Sequence, residues 1–311
     1  MNSMRIFVYE HLTAQGVGRD PADPMHAMYR EGLAMRDAAA EDFRKLAGTE
    51  VVFTEQPHDL AVVIAPETDG VLLELAKQFA STILGPTPAA IGLTSDKLAL
   101  SNHWRERGIP TPATTDREPT PCEAFPVVWK PRDGCGSTAT FLLKNAFDVA
   151  RVLATNEHRG SMILQEFVPG RAASVAFLCG PNGNVPLIPA FQSLSTDGRF
   201  KYLGGELPIP ANLSERAVRL GARAIESLPG LKGYVGVDLV LGDAADGSQD
   251  FAIEINPRLT TSYVGLRAIA EFNIAEAMLQ IARGEAPLEM RWKAVRMRFE
   301  PDGMVAPVDQ V

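Results

Sequence analysis

The sequence predicts an α/β unit of parallel strands at the start of the chain, followed by α+β units with mixed sheets. Near the start, short apolar runs alternate with helical patterns, which is typical of a parallel layer. The runs lie at 5–10, 51–54 and 61–66, and the helical patterns lie near 27–47 and 70–81. Prolines at 86 and 88 then break this alternation. We expect three domains, over residues 1–90, 91–160 and 161–311.

The later elements follow from local patterns. A helix begins near Ser95 and ends at Gly108, because glycine is common just after a helix. The strands at 234–241 and 251–256 are joined by a polar loop, so we expect an antiparallel pair. The other predicted elements are strands at 127–130, 139–143, 162–167 and 172–179, and helices near 146–155, 214–227 and 264–283.

The composition is that of an acidic globular protein. The 311 residues are 46% hydrophobic and 22% charged. The net charge of −8 disfavours a nucleic-acid partner, because the phosphate backbone attracts positive surface. No apolar run approaches the ~20 residues of a membrane span, no secretion signal is visible, and three scattered cysteines suit a reducing compartment. We predict a cytoplasmic protein that binds small molecules and neither nucleic acid nor membrane.

Oxygen-bearing side chains fall on one face of the predicted strand pair. Alternation puts Ala252, Glu254 and Asn256 on the same face of one strand, and Asp238 lies on the other strand. If the strands pair, two carboxylates and an amide meet. This donor set suits Mg²⁺, with Mn²⁺ as an alternative. A polar rim at a sheet edge explains the same residues equally well.

A glycine loop follows an apolar strand in the stretch VVWKPRDGCGST. Lys130 ends the strand, and Gly134, Gly136 and Ser137 lie in the loop. Such loops can wrap phosphates with backbone N–H groups, because glycine permits close approach. The lysine precedes the glycines, unlike in a Walker loop, and an ordinary hairpin turn is the alternative. Similarly, QEFVPG at 165–170 is either a purine-binding bend or a plain strand and turn.

The order of these segments resembles the ATP-grasp superfamily, which includes D-alanine–D-alanine ligase and biotin carboxylase. The resemblance covers about 85–285, and EINPRL is its most specific segment. It implies that 1–90 form a pre-ATP-grasp α/β domain and that an ATP-grasp fold of two α+β subdomains follows. Residues 91–160 would be the central subdomain, and 161–311 would be the C-terminal subdomain with the metal and catalytic site.

The resemblance also implies roles for the matching residues, with ATP and Mg²⁺ as cofactors. Phosphate contacts are implied for Lys97, Lys130, Gly134, Gly136 and Ser137. Adenine contacts are implied for Gln165, Glu166 and Val168. Lys201 would reach the terminal phosphates, and Arg258 would steady the transferring phosphoryl group or the acyl intermediate. The metal ligands would be Asp238, Glu254 and Asn256. Ala172 departs from the pattern, because many relatives carry there an acid that binds the ribose hydroxyls.

Four further stretches resemble the branch of the superfamily that joins L-glutamate to tyramine in methanofuran-type cofactor biosynthesis. They are VYEHLTAQG, IAPETDGVL, YLGGELPI and EINPRLTTSYVGL. The implied reaction is an ADP-forming carbon–nitrogen ligation that makes a γ-glutamyl amide through an acyl phosphate. The alternatives are a ligase for other amino acids or amines, a phosphotransferase, and a non-catalytic nucleotide-binding regulator.

Four residues are candidates for substrate binding. Glu10, Glu67 and Asp69 follow predicted strands of the first domain, where parallel sheets place ligands, so one of them could meet a substrate ammonium. Solvated loop acids are the alternative. Tyr263 could line the acceptor pocket or could pack between a strand and the last helix. The sequence does not fix the oligomeric state, and a homodimer is the commonest closed assembly.

Overall fold

Three β-sheets and the helices around them organise the described part of the chain. The structure is a computed structural model, and it describes residues 3–155, 160–287 and 289–308. Within these residues, no helix is both long and apolar enough to cross a bilayer.

The first sheet is parallel, as predicted, and has the strand order β2-β1-β3. Its elements and their flanking helices are β1 (Met4–Glu10), α1 (His11–Gln15), α2 (His26–Arg44), β2 (Thr49–Val52), β3 (Leu60–Ile64), α3 (Val71–Gln78) and α4 (Pro88–Ser95). Ile6 and Val8 share a buried cluster with Phe43 of α2, whereas Phe7 shares another with Leu72 of α3. Successive strand residues point to opposite faces, so helices cover both sides of β1.

The second sheet is small and antiparallel, with the order β4-β7-β5-β6. The elements in this part of the chain are α5 (Lys97–Glu106), β4 (Thr114–Thr115), β5 (Val127–Pro131), β6 (Phe141–Leu143), α6 (Ala146–Ala154) and β7 (Met162–Glu166). Trp129, Phe141 and Leu143 form a separate core with Val149 and Val152 of α6. Because β7 pairs with β5, a boundary at residue 160 would separate paired strands. We propose a domain boundary after β7 instead.

The third sheet is antiparallel and has the order β13-β12-β8-β10-β11-β14-β15, with β9 also pairing with β8. Its elements are β8 (Arg171–Gly180), β9 (Gly183–Pro186), β10 (Ala190–Leu194), β11 (Tyr202–Leu207), α7 (Ala211–Glu226), β12 (Gly233–Leu241), β13 (Phe251–Asn256), α8 (Ser262–Ile269), α9 (Ile274–Ala282), β14 (Met297–Phe299) and β15 (Val305–Pro307). Leu220 of α7 packs on the face that carries Val237. Met278 of α9 packs on the opposite face with Tyr234.

Two sequence predictions in this region are wrong in detail. The predicted helix over 264–283 is two helices, because Asn273 interrupts it and caps α9 by accepting hydrogen bonds from the N–H groups of Ala275 and Glu276. The predicted alternation along β13 fails at Ile253. The strand register shifts there, so that Ala252 pairs with Leu239 and leaves the face that Glu254 occupies.

Candidate active site

The carboxylates of Asp238 and Glu254 face each other across β12 and β13. The two residues are paired in the antiparallel ladder. Asn256 donates from Nδ2 to Asp238 Oδ2 at 3.1 Å, and Gln192 donates from Nε2 to Asp238 Oδ1 at 2.9 Å. The structure therefore brings together the three oxygen donors that the sequence placed on one face.

Crowding of negative charge determines the protonation of this pair. Burial raises the pKa of Asp238, and the charge of Glu254 raises it further. Burial also opposes ionisation of Glu254, but the charges of Lys97 and Lys130 bring its pKa below the usual value. Asp238 is therefore the carboxyl group that holds a proton more readily. A cation bound between the two carboxylates would favour release of that proton.

Two lysines supply positive charge beside the carboxylates. Lys97, the first residue of α5, lies with Nζ 3.4 Å from Glu254 Oε2 and donates a hydrogen bond to the carbonyl of Gly134 at 2.7 Å. Lys130 is buried at the end of β5. Burial lowers the pKa of Lys130 to about 8, a change that the charge of Glu254 opposes and the charge of Lys97 reinforces. This arrangement can attract a ligand that brings further negative charge.

The glycine loop at 132–138 folds against the first domain. The Asp133 carboxylate accepts a hydrogen bond from the Asp69 N–H at 2.9 Å, and a Cβ added at Gly134 would lie 3.2 Å from Thr68 Oγ1. Gly134 has a φ of 116° and Gly136 a φ of 67°, which are left-handed conformations that glycine adopts without strain. The loop backbone therefore approaches the first domain closely, and its predicted contact with phosphates stays a prediction.

The same loop carries Ser137, which also has a positive φ, of 55°. Its carbonyl accepts a hydrogen bond from the Thr140 N–H at 3.2 Å, which closes a turn ahead of β6. Ser137 therefore lies at the end of the loop near the small sheet.

The segment around β7 ends near a contact between the two antiparallel sheets. Gln165 is buried, and its Nε2 donates to Thr114 Oγ1 at 2.9 Å. The Glu166 N–H donates to a backbone carbonyl at 2.9 Å, and its side chain is exposed. Val168 is buried, and Phe167 stacks on Phe200 from the β10–β11 loop with ring centroids 6.5 Å apart. The amide oxygen of Gln165 is the atom that its side chain could offer to a ligand.

Lys201 is not among the residues that the structure brings to the carboxylate pair. Its side chain is exposed, and its backbone N–H donates to Ser195 Oγ at 2.9 Å. The loop before it contacts the small sheet through a hydrogen bond from the Leu142 N–H to the Gly198 carbonyl, at 2.8 Å. A contact of Lys201 with a ligand therefore stays a prediction.

Arg258 and Glu67 form a buried, two-pronged ion pair between the third sheet and the first domain. Arg258 Nε lies 2.9 Å from Glu67 Oε1, and Nη2 lies 3.1 Å from Oε2. Burial opposes the charge of Arg258, but Glu67 more than compensates and holds its pKa above the usual value. The sequence suggested Glu67 as a free acid for a substrate ammonium. The structure corrects this interpretation, because both carboxylate oxygens are already bound to the guanidinium.

The other substrate candidates have different surroundings. Glu10 is buried and caps α1 by accepting hydrogen bonds from the N–H groups of Leu12 and Thr13, so it is not a solvated loop acid. The Asp69 side chain is exposed beside the glycine loop. Tyr263 is fully buried and donates from its hydroxyl to Asp42 at 2.9 Å, which matches the packing alternative rather than a pocket.

Sequence reasoning missed a third acid in this region. Glu31 of α2 accepts a hydrogen bond from Thr261 Oγ1 and lies within electrostatic range of Arg258, Cys135 and Tyr202. Cys135 lies near Arg258 and Glu67 as well, and burial raises its thiol pKa to about 11. Both Glu31 and Gln192 lacked a usable signal, because polar residues on a helix or strand look the same whether they face solvent or a site.

Comparisons with known proteins agree with this architecture. Residues 34–91 match the pre ATP-grasp 3 domain, and residues 94–262 match the ATP-grasp domain. The tyramine–L-glutamate ligase of Methanocaldococcus fervens is 30% identical over 230 residues, which are 73% of this chain and 67% of that protein. The enzyme of the same name from Methanocaldococcus jannaschii is 29% identical over 248 residues, 78% of this chain and 68% of that protein.

A solved structure has the same fold over nearly the whole chain. The crystal structure of an ATP-grasp superfamily protein from Archaeoglobus fulgidus matches with a TM-score of 0.73 and 25% identity, over 96% of this chain and 92% of that one. With two matched domains, ligase relatives and a shared fold, this chain belongs to the ATP-grasp family and is an ATP-dependent, ADP-forming carboxylate–amine ligase.

Proposed function

We propose that this ligase joins L-glutamate to tyramine and forms a γ-glutamyl amide, while ATP is converted to ADP and phosphate. The observation that carries the proposal is the meeting of Asp238 and Glu254 of the third sheet with Lys97 of α5 and Lys130 of the small sheet. The similarity to the two tyramine–L-glutamate ligases supports the choice of substrates. Cytoplasmic location and a homodimer stay predictions.

The nucleotide would bind between the small sheet and the third sheet. Lys97, Lys130 and the glycine-loop N–H groups would neutralise and bind its phosphates. The adenine would lie near Gln165 and the backbone of Val168, close to the Phe167–Phe200 stack. Ala172 supplies no acid for the ribose hydroxyls, so affinity would depend mainly on the phosphates and the base.

The donor set fits one or more Mg²⁺ ions, with Mn²⁺ as the alternative. Asp238 and Glu254 are ladder partners with hard carboxylate oxygens, and burial and the charge of Glu254 raise the pKa of Asp238, so a cation bound there would relieve the repulsion. Asn256 uses its N–H group toward Asp238, so its amide oxygen is the atom it could offer to the metal. When bound, the ion would neutralise phosphate charge during transfer.

The protein side chains would orient the carboxylate substrate and exclude water. Arg258 is held by Glu67 in one orientation, so its charge is pre-organised for the transferring phosphoryl group or the acyl phosphate. The glycine loop, docked on the first domain, would keep water from the acyl phosphate. Lys201, whose side chain is exposed, would contact the terminal phosphates. No side-chain nucleophile is needed, and the protonated thiol of Cys135 agrees with this.

A substrate-omission experiment tests the proposal. The enzyme is incubated with ATP, Mg²⁺, glutamate and a panel of amines, and ADP release and product masses are recorded. A ligase releases ADP only when an acid and an amine are both present, and the expected product is the tyramine amide of glutamate. ADP release with one substrate and a stable phosphorylated product would indicate a phosphotransferase. ATP binding without turnover across the panel would indicate a regulator.

A further inference from the structure

Glu31 is a partly buried carboxylate without an ion-pair partner among the described residues. It projects from α2 toward the segment after β13, where Thr261 Oγ1 donates a hydrogen bond to it. Burial raises the pKa of Glu31, and the Thr261 hydrogen bond and the charge of Arg258 offset only part of this effect. The ionised form of a carboxylate in such surroundings is stabilised when a ligand brings a cation next to it.

The nearest protein cation already has an acidic partner. Arg258 binds both oxygens of Glu67 through Nε and Nη2, and Nη1 donates to the Leu259 carbonyl at 3.1 Å. With Arg258 positive and Glu67 and Glu31 negative, the group has a net charge of about −1 when all three are ionised. Lys97 and Lys130 do not neutralise this negative charge, because they already face two other carboxylates.

Glu31 lies close to the glycine loop. A Cβ added at Gly136 would lie 3.9 Å from Sδ of Met28, which is one turn before Glu31 on α2. The charges of both Glu31 and Asp238 raise the pKa of Tyr202, so both acids are within electrostatic range of this tyrosine. Cys135 of the glycine loop is within electrostatic range of Glu31, Glu67 and Arg258. A ligand held at Glu31 would therefore lie under the glycine loop and near the place where an acyl phosphate would form.

We propose that Glu31 binds the ammonium group of the amine substrate and selects cationic amines over neutral molecules of the same shape. The inference rests on the proposed ligase function. A simple amine brings one positive charge and balances the group formed by Glu31, Glu67 and Arg258. The α-amino-acid head of glutamate fits less well there, because it adds a second carboxylate beside two acids whose arginine is already paired.

The test compares tyramine with its alcohol analogue, in which a hydroxyl replaces the ammonium. Equilibrium binding is measured for the full chain with Mg²⁺ and a non-hydrolysable ATP analogue. The variants are Glu31→Gln, Glu31→Asp and, as a control, Glu41→Gln, which changes an exposed acid on the same helix. We expect wild type to prefer tyramine by about 10-fold or more, since a hydrogen bond to a charged group is worth about that much.

Glu31→Gln should remove most of this preference, because it should lower the affinity for tyramine about 10- to 100-fold and leave the affinity for the alcohol within about two-fold of the wild-type value. Glu31→Asp should keep part of the preference, and Glu41→Gln all of it. Equal weakening of both ligands would indicate a merely structural role and would overturn the proposal. Unchanged tyramine binding by Glu31→Gln would also overturn it.

The ligase function can fail separately. If wild type releases no ADP with any acid and amine, the proposed reaction is wrong, yet an ammonium preference that depends on Glu31 would still show the binding role. The same comparison is therefore made with a panel of amine and alcohol pairs. If wild type prefers the ammonium member of no pair, the Glu31 assignment is wrong whatever the reaction.

Discussion

The ion pair between Arg258 and Glu67 allows a prediction about stability that does not depend on the reaction. Their side chains are only 11% and 5% exposed, and two hydrogen bonds join them. Removing one partner of such a pair leaves a buried, uncompensated charge, at a cost of about 3–5 kcal/mol. We expect about 3 kcal/mol for Glu67→Gln, the low end of the range, because Glu31 still offsets part of the Arg258 charge.

The double variant distinguishes a coupled pair from two independent contacts. Arg258→Met should also lower the unfolding free energy by about 3 kcal/mol, because it leaves Glu67 without its cation. The combined variant carries neither charge, so its loss should be close to that of one single variant rather than twice as large. Urea denaturation monitored by circular dichroism measures all three losses.

An exposed pair provides the control for this cycle. Arg291 and Glu289 are 68% and 72% exposed, so Glu289→Gln should change the unfolding free energy by less than about 0.5 kcal/mol. If the losses of Glu67→Gln and Arg258→Met simply add to within about 0.5 kcal/mol, the two residues are not coupled, and the claim that Glu67 positions Arg258 is wrong.

Three further predictions concern the residues beside the carboxylate pair and the ribose position. Asp238→Asn combined with Glu254→Gln should abolish turnover but keep the circular dichroism spectrum, and retained turnover would remove the metal assignment. In the ligand-free enzyme the pKa of Lys130 is about 8, against an ordinary value of 10.5, so the unfolded chain binds more protons than the folded one between these two pH values. The free energy of unfolding should therefore rise with pH across that range. Lys130→Met should flatten this rise in urea titrations, and an unchanged slope would contradict the assigned burial. Ala172→Glu should raise the preference for ATP over 2′-deoxy-ATP by about 10-fold in binding assays, since a carboxylate can accept from the ribose hydroxyl, and no change would show that residue 172 does not face the ribose.

Features that depend on neighbouring residues could be predicted from the sequence. Strand periodicity predicted that Asp238 would share a face with Glu254 if the strands paired, and the observed pairing of β12 with β13 places the two residues opposite each other. The same periodicity failed at Ile253, because a bulge inserts one residue without a strong sequence signal. The break between α8 and α9 was missed for a similar reason, since a single asparagine decides it.

Contacts between distant segments could not be predicted in the same way. Arg258 and Glu67 are 191 residues apart, and nothing in either local pattern indicates that one binds the other. The surroundings of Glu31 likewise depend on how α2 packs against the segment after β13. The order of the segments indicated the family, but these pairings come from the packing of the first domain on the third sheet.

The continuity of the largest hydrophobic core limits which part of the enzyme can move. One buried cluster includes Ile6 and Phe43 of the first domain together with Tyr234 and Met278 of the third sheet and its helices, whereas Trp129 belongs to the separate core of the small sheet. Opening by rotation of the first domain would expose this shared core to water, at a cost that grows with the apolar area exposed. Nucleotide entry should therefore depend on a hinge of the small sheet, which swings against a rigid base made by the rest of the molecule.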